Sequence, residues 1–257
     1  MSAKILRGLA TSFISFVYLI NSDAGDFFVK KLLFQPPEEY IEDQSIIKNS
    51  ENCWIHIKSR KNDSDIIIVF LHGNASDISM NKGNGKILGE LGDVYIPEYS
   101  GYGAMRRYFP RRNSDGIMDS LRKFFDTVIK PLNKSVYIVG QSLGSHYATR
   151  LASEGYCTHL CLISPFYSIE KLAFGDEEKP ILKDEMSYNT GFYIGKINST
   201  VKITVMHGED DKLVPPSHSH DLYREIIMNP KRLCIVGGHC HSSIDFIDVL
   251  REIKTHI

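Results

Sequence analysis

Neither sign of charge predominates in this sequence: Lys and Arg number 30, Asp and Glu 31. With no net field of either sign, nucleic acid is not an expected partner. The densest basic run, Arg106-Arg107 with Arg111-Arg112, reads as a solvated loop. Cysteine is sparse: Cys53, Cys157, Cys161, Cys234 and Cys240 are odd in number and widely spaced in a chain of 257 residues. That excludes a disulfide framework and points to a reducing compartment. Cys53, Cys161 and Cys234 stand in apolar runs and are expected as buried thiols. His239, Cys240 and His241 match no zinc-ligand spacing, so neither a metal nor a cofactor is expected.

Repeats and low-complexity tracts are also missing, and so is an apolar run of bilayer length. As a helix the N-terminal run Gly8–Ile20 would span about 20 Å, against the ~30 Å of a hydrocarbon core. Lys4 and Arg7 precede it, and Leu9, Phe13, Phe16, Val17 and Ile20 share one helical face. The run suits an interfacial anchor. A short spanning helix and a signal peptide cleaved near Ser22 or Ala24 are the alternatives. The expectation is a membrane-associating segment and joint over residues 1–34, at the cytoplasmic face of a membrane, with the secretory pathway as the alternative. Pro36 and Pro37 exclude helix interior at that joint.

What is present is ordinary for a globular domain, 42% hydrophobic and 24% charged, and residues 35–257 are expected to form one. Asp65–Gly73 is a continuous β-branched run ending in Gly, as in a strand buried on both faces. Further strands are expected over Cys53–Lys58, Asp93–Gly103, Val136–Val139, Leu160–Ser164, Lys202–Met206 and Leu233–Val236. Helices are expected over Ser114–Ile129, Ser142–Ser153, Ser217–Met228 and Ile244–Ile253. Such alternation means an α/β fold with a mostly parallel sheet covered on both faces. Phe166–Thr200 breaks the alternation, and a small cap is expected over 166–200.

In such sheets the working residues lie beyond the carboxyl ends of the strands. There the sequence places His72, Gly73 and Asn74, then Ser142, then His207, Gly208, Asp210 and Asp211, then Gly237, Gly238 and His239. Gly140-Gln141-Ser142-Leu143-Gly144 is a Gly-x-Ser-x-Gly turn, a pattern that chance supplies in roughly one chain of this length in ten. Ser, then Asp, then His at one sheet edge removes that doubt, because nucleophile, acid and base in this order are the signature of an α/β-hydrolase. A serine hydroxyl is a poor nucleophile until an imidazole takes its proton, and a carboxylate holds that imidazole in the right tautomer. By position the Leu143 N–H is one oxyanion donor, and Asn74, after the first buried strand, is the best candidate for the other. His72 is expected to brace that turn.

"FLHGNASD", "EYSGYG", "GQSLGS", "SPFYSIEKLA", "HGEDDKLVPPSH" and "GGHCH" follow one another as in α/β-hydrolases. Together with "KKLLFQPPEEY" they most resemble the α/β-hydrolase domain-containing protein 17 branch of protein depalmitoylases. The similarity runs from about Lys30 to the C-terminus. The resemblance implies Ser142 as nucleophile and Asp211 as acid, since Val214 and Pro215 complete His-Gly-x-x-Asp-x-x-Val-Pro, with Asp210 one residue out of register. It implies His239 as base, following a Gly in the last loop, with His241 as competitor. It implies hydrolysis of an ester or thioester, with an acylated protein or lipid ester as partner at a membrane surface. A carboxylesterase or lysophospholipase and a catalytically inactive binding protein are the alternatives. That branch carries a Cys-rich acylated N-terminus; here no Cys precedes Cys53, and an apolar stretch stands in its place.

Overall fold

The computed structural model describes residues 36–37, 43–61, 64–106, 114–174 and 188–256. The N-terminal segment expected over 1–34 lies outside them. Eight strands form one sheet: β1 (Ile46–Lys48), β2 (Cys53–Ile57), β3 (Ile66–Leu71), β4 (Asp93–Pro97), β5 (Ser135–Gln141), β6 (His159–Ile163), β7 (Lys202–Gly208) and β8 (Lys231–Val236). Their spatial order is β1-β2-β4-β3-β5-β6-β7-β8. β1 and β2 run antiparallel, as do β2 and β4, and every other pairing is parallel.

The helices are α1 (Lys82–Leu88), α2 (Ser114–Phe124), α3 (Leu143–Ser153), α4 (Ile169–Phe174), α5 (Thr190–Ile194), α6 (Ser217–Glu225) and α7 (Phe246–His256). Ile67, Val69 and Leu71 of β3 face one core with Ile117 and Leu121 of α2, Tyr147 and Leu151 of α3, and Leu222 of α6. Ile68 and Phe70 face the other, with Leu88 of α1 and Phe246, Val249 and Ile253 of α7. Burial on both sides is why β3 reads as an unbroken apolar run rather than an alternating one.

Two elements were not legible in the sequence. β1 has three residues, none of them buried. α1, with sequence KGNGKIL, holds two residues poor in helix propensity. Packing explains it: a Cβ on Gly85 would lie 2.6 Å from Ile57 Cδ1 and 2.9 Å from Ile96 Cδ1. α2 is shorter than the expected Ser114–Ile129, because its last turn widens into a π-helix over Phe125–Ile129. There the Thr127 hydroxyl donates to the Lys123 carbonyl at 2.7 Å, competing with the regular backbone pattern. Of the expected cap, α4 and α5 are described and 175–187 are not. α5 packs on α3 and α6. Among the described residues no helix is long and apolar enough to cross a membrane.

The β5–α3 turn sets Ser142 at φ 51°, ψ −115°, a strained conformation for a residue with a side chain. Gly144 permits it. A Cβ there would overlap the Leu71 carbonyl oxygen and stand 2.6 Å from that of His72, both main-chain atoms that no rotamer can move. Helix propensity alone would make Gly144→Ala stabilising by about 1 kcal/mol. We expect the overlap to prevail, with a net loss of about 2 kcal/mol, in the range of overpacking costs. Urea denaturation checks this, and an unchanged midpoint would contradict it.

Candidate active site

Parallel β3, β5, β6, β7 and β8 end at the same sheet edge, and the loops that follow them carry most of the polar groups that meet there. Ser142 is held from both sides of its own backbone: its N–H donates to Ile163 O of β6, and its carbonyl accepts from the Ser145 N–H, each at 2.9 Å. Its Oγ lies 2.8 Å from His241 Nε2. His241 Nδ1 lies 2.7 Å from Asp211 Oδ2. A carboxylate only accepts, so Nδ1 carries the ring hydrogen and Nε2 is left to receive the serine proton.

The expected base, His239, is not at this position. Its Nδ1 donates to the Ser243 carbonyl at 2.7 Å, its own carbonyl accepts from the Asp210 N–H at 2.9 Å, and that carbonyl crosses directly over Gly208. The reason is distance. β8 is three strands from β5, and three spacings come to about 14 Å. From Val236, the last residue of β8, the three residues to His239 span at most about 10 Å, and the five to His241 about 17 Å. Ser164 Oγ donates to the His241 carbonyl at 3.1 Å and holds the far end of the crossing. The strand order contained this signal; the position after a Gly did not.

Asp211 is 4% exposed, while Asp210 points outward, so the structure brings Asp211 and not Asp210 to the imidazole. Asp211 Oδ1 accepts from the Leu213 and Val214 N–H groups at 2.9 Å each, and Oδ2 from His241 and, at 3.0 Å, from His207 Nε2. Burial raises the carboxyl's pKa, but the bonds from His207 and His241, the nearby His241 charge and the Val214 N–H outweigh it and hold it well below the usual range. The sequence places His207 at this edge without assigning it a role.

Leu143 is the first residue of α3, so its N–H has no partner one turn back in the helix. The β3 loop runs alongside Ser142: a Cβ on Gly73 would be 3.5 Å from Ser142 Cβ. Asn74 Oδ1 accepts from the buried Tyr102 hydroxyl at 2.8 Å, and Ala75 turns the loop at φ 54°. His72 lies beneath. Its Nδ1 donates to Gly73 O at 2.8 Å, and its Nε2 lies 3.0 Å from Glu98 Oε1, with both side chains fully buried. Tyr99 donates its N–H to the same carboxylate and its hydroxyl to His72 O. Glu98 had carried no expectation, though a lone carboxylate at the end of an apolar strand is the kind of group that needs a buried partner. Cys53, Cys157 and Cys161 are buried; Cys234, expected to be buried, is only partly so because β8 is an edge strand, and Cys240 is exposed. The described His, Cys, Asp and Glu side chains form no group of three suited to a metal.

A mostly parallel eight-stranded sheet, a strained serine at the β5–α3 turn and a Ser–His–Asp line at its edge define an α/β-hydrolase-fold protein. Comparison with known proteins adds what the chain is similar to. No protein-family model matches the chain. It is 25% identical over 236 residues to an uncharacterized protein of Acanthamoeba polyphaga mimivirus, covering 82% of this chain and 75% of that one. It is 26% identical over 197 residues to alpha/beta hydrolase domain-containing protein 17C of Homo sapiens, covering 74% of this chain and 58% of that protein. The chain thus spans less than two thirds of that relative's length. Among solved structures, a lipase-esterase related protein from Clostridium acetobutylicum superposes with a TM-score of 0.64 at 14% identity, over 80% of this chain and 100% of that one. The branch that the motifs resemble is the one named by the protein 17C relative.

Asp211 also links the site to acid stability. Its folded pKa is depressed below the unfolded value of 3.8. The stability it contributes is therefore fully present above that pH and is lost as pH falls through the folded value. We expect the unfolding free energy of wild type to drop more steeply below about pH 4 than that of Asp211→Asn. Urea titrations between pH 5 and the acid limit measure it, and parallel curves would contradict it.

Proposed function

We propose that this protein is a serine hydrolase that cleaves an ester or thioester through an acyl-serine intermediate. The unbroken line Ser142 Oγ–His241–Asp211 is the observation that carries this reading. Ser142 Oγ attacks the carbonyl carbon as His241 Nε2 takes its proton, while Asp211 stabilises the imidazolium formed. The N–H groups of Leu143 and Asn74 hold the oxyanion. His241 then protonates the leaving sulfur or oxygen, and in the second half-reaction it deprotonates the water that releases the acid. The steps use only these groups and call for no cofactor.

For substrate we propose an apolar acyl group on an S-acylated protein at a membrane surface. The motif resemblance to the depalmitoylase branch, the similarity to protein 17C and the apolar run Gly8–Ile20 support it. A carboxylesterase or lysophospholipase acting on small or lipid esters is the second reading, in line with the printed name of the lipase-esterase related protein that shares the fold. A non-catalytic binding protein is disfavoured by a triad with all three hydrogen-bonded groups in place.

A fluorophosphonate probe tests the chemistry. Wild type is expected to label and Ser142→Ala not to. His241→Ala should label about a thousandfold more slowly or worse, as should Asp211→Asn. His239→Ala and Asp210→Asn should stay within about tenfold of wild type, having no bond to the serine or the imidazole. Loss on His239→Ala with retention on His241→Ala would return the base to His239. Substrate class is tested by acyl length: palmitoyl thioester is expected to be turned over faster than acetyl thioester, and a preference for acetyl esters would favour the carboxylesterase.

A further inference from the structure

His207 is fully buried at the end of β7, and the mechanism just described does not use it. Its Nε2 lies 2.8 Å from Val214 O and 3.0 Å from Asp211 Oδ2. A carbonyl can only accept, so Nε2 carries a hydrogen, shared between that carbonyl and the carboxylate. Its Nδ1 lies 2.6 Å from Ser219 Oγ, at the start of α6. The hydroxyl can donate there, which satisfies both ring nitrogens and pins the ring in one tautomer.

From this geometry we infer that His207 is a positioning residue for the acid: a second imidazole that holds Asp211 Oδ2 aimed at His241. The inference rests on the serine-hydrolase reading. Three features support it. His207 donates to the same oxygen that His241 uses, so it acts on the atom that orients the base. Val214 closes the ring of contacts, since its N–H donates to Asp211 Oδ1 while its carbonyl accepts from His207. With two backbone donors on Oδ1 and two imidazoles on Oδ2, the carboxylate cannot rotate about its own side chain without breaking a buried bond.

Two amide substitutions separate positioning from packing. The Gln amide nitrogen falls where His Nε2 stands and keeps the bond to Asp211 and Val214. The Asn amide falls where Nδ1 stands, keeps Ser219 and loses Asp211. Fluorophosphonate labelling rates are measured for wild type, His207→Gln and His207→Asn from pH 5 to 9, with melting temperature alongside. His207→Gln should label within about threefold of wild type with the same pH profile. His207→Asn should label at least about tenfold more slowly, with a pH profile that differs from that of wild type. Equal rates and profiles for the two folded variants would overturn the inference, whatever their melting temperatures. If neither variant folds, Ser219→Ala is read instead: a slower rate supports the inference, and a wild-type rate and profile overturn it. Failure of wild type itself to label would mark failure of the serine-hydrolase reading, an outcome distinct from all of these.

Discussion

The site depends on one buried negative charge. A carboxylate taken out of water is costly unless its lone pairs are filled. Asp211 meets that requirement with two backbone N–H groups from its own loop and two imidazoles, one from β7 and one from the loop after β8. Satisfying the charge therefore shapes the 211–214 turn, draws the last loop inward and delivers His241 to Ser142. The same contacts that make Asp211 tolerable in the interior make it useful for holding a base.

The opposite wall of the site is built on a second buried pair. His72 and Glu98 are fully enclosed beneath the β3 loop, and the carboxylate also receives the Tyr99 N–H. This anchors the turn that carries Gly73 and Asn74 past Ser142. Between the two walls the β5–α3 turn holds Ser142 strained, with Gly144 set against the carbonyls of β3's end. Both walls consist of loops after parallel strands, so the sheet sets their spacing.

Much of this was legible along the chain. The sequence marked the six parallel strands and β2, most plainly β3, β6 and β7, because strands buried on both faces leave an uninterrupted signature. The helices over Leu143–Ser153 and Ser217–Glu225 followed from period and turn chemistry. α1 was hidden, since its glycines argue against a helix and only the close approach of Ile57 and Ile96 makes them fit. The π-turn at Phe125–Ile129 was hidden for a related reason: a single hydroxyl competing for a carbonyl leaves no periodic trace.

The sequence by itself determined the α/β alternation, the edge at which chemistry-bearing residues gather, and the identity of Ser142 and Asp211 as the groups brought together there. Each depends on local pattern, where strand period, a Gly-flanked turn or a fixed motif spacing suffices. Tertiary structure decided which histidine reaches the serine. His239 and His241 are two residues apart and indistinguishable by local chemistry. The order β5-β6-β7-β8 sets a crossing that the shorter reach does not complete, and the loop spends His239 on turning over Gly208. Only the fold, too, placed His207 and Glu98 against their partners. Contacts between residues far apart in the chain are set by how the layers stack, and no local spacing records that.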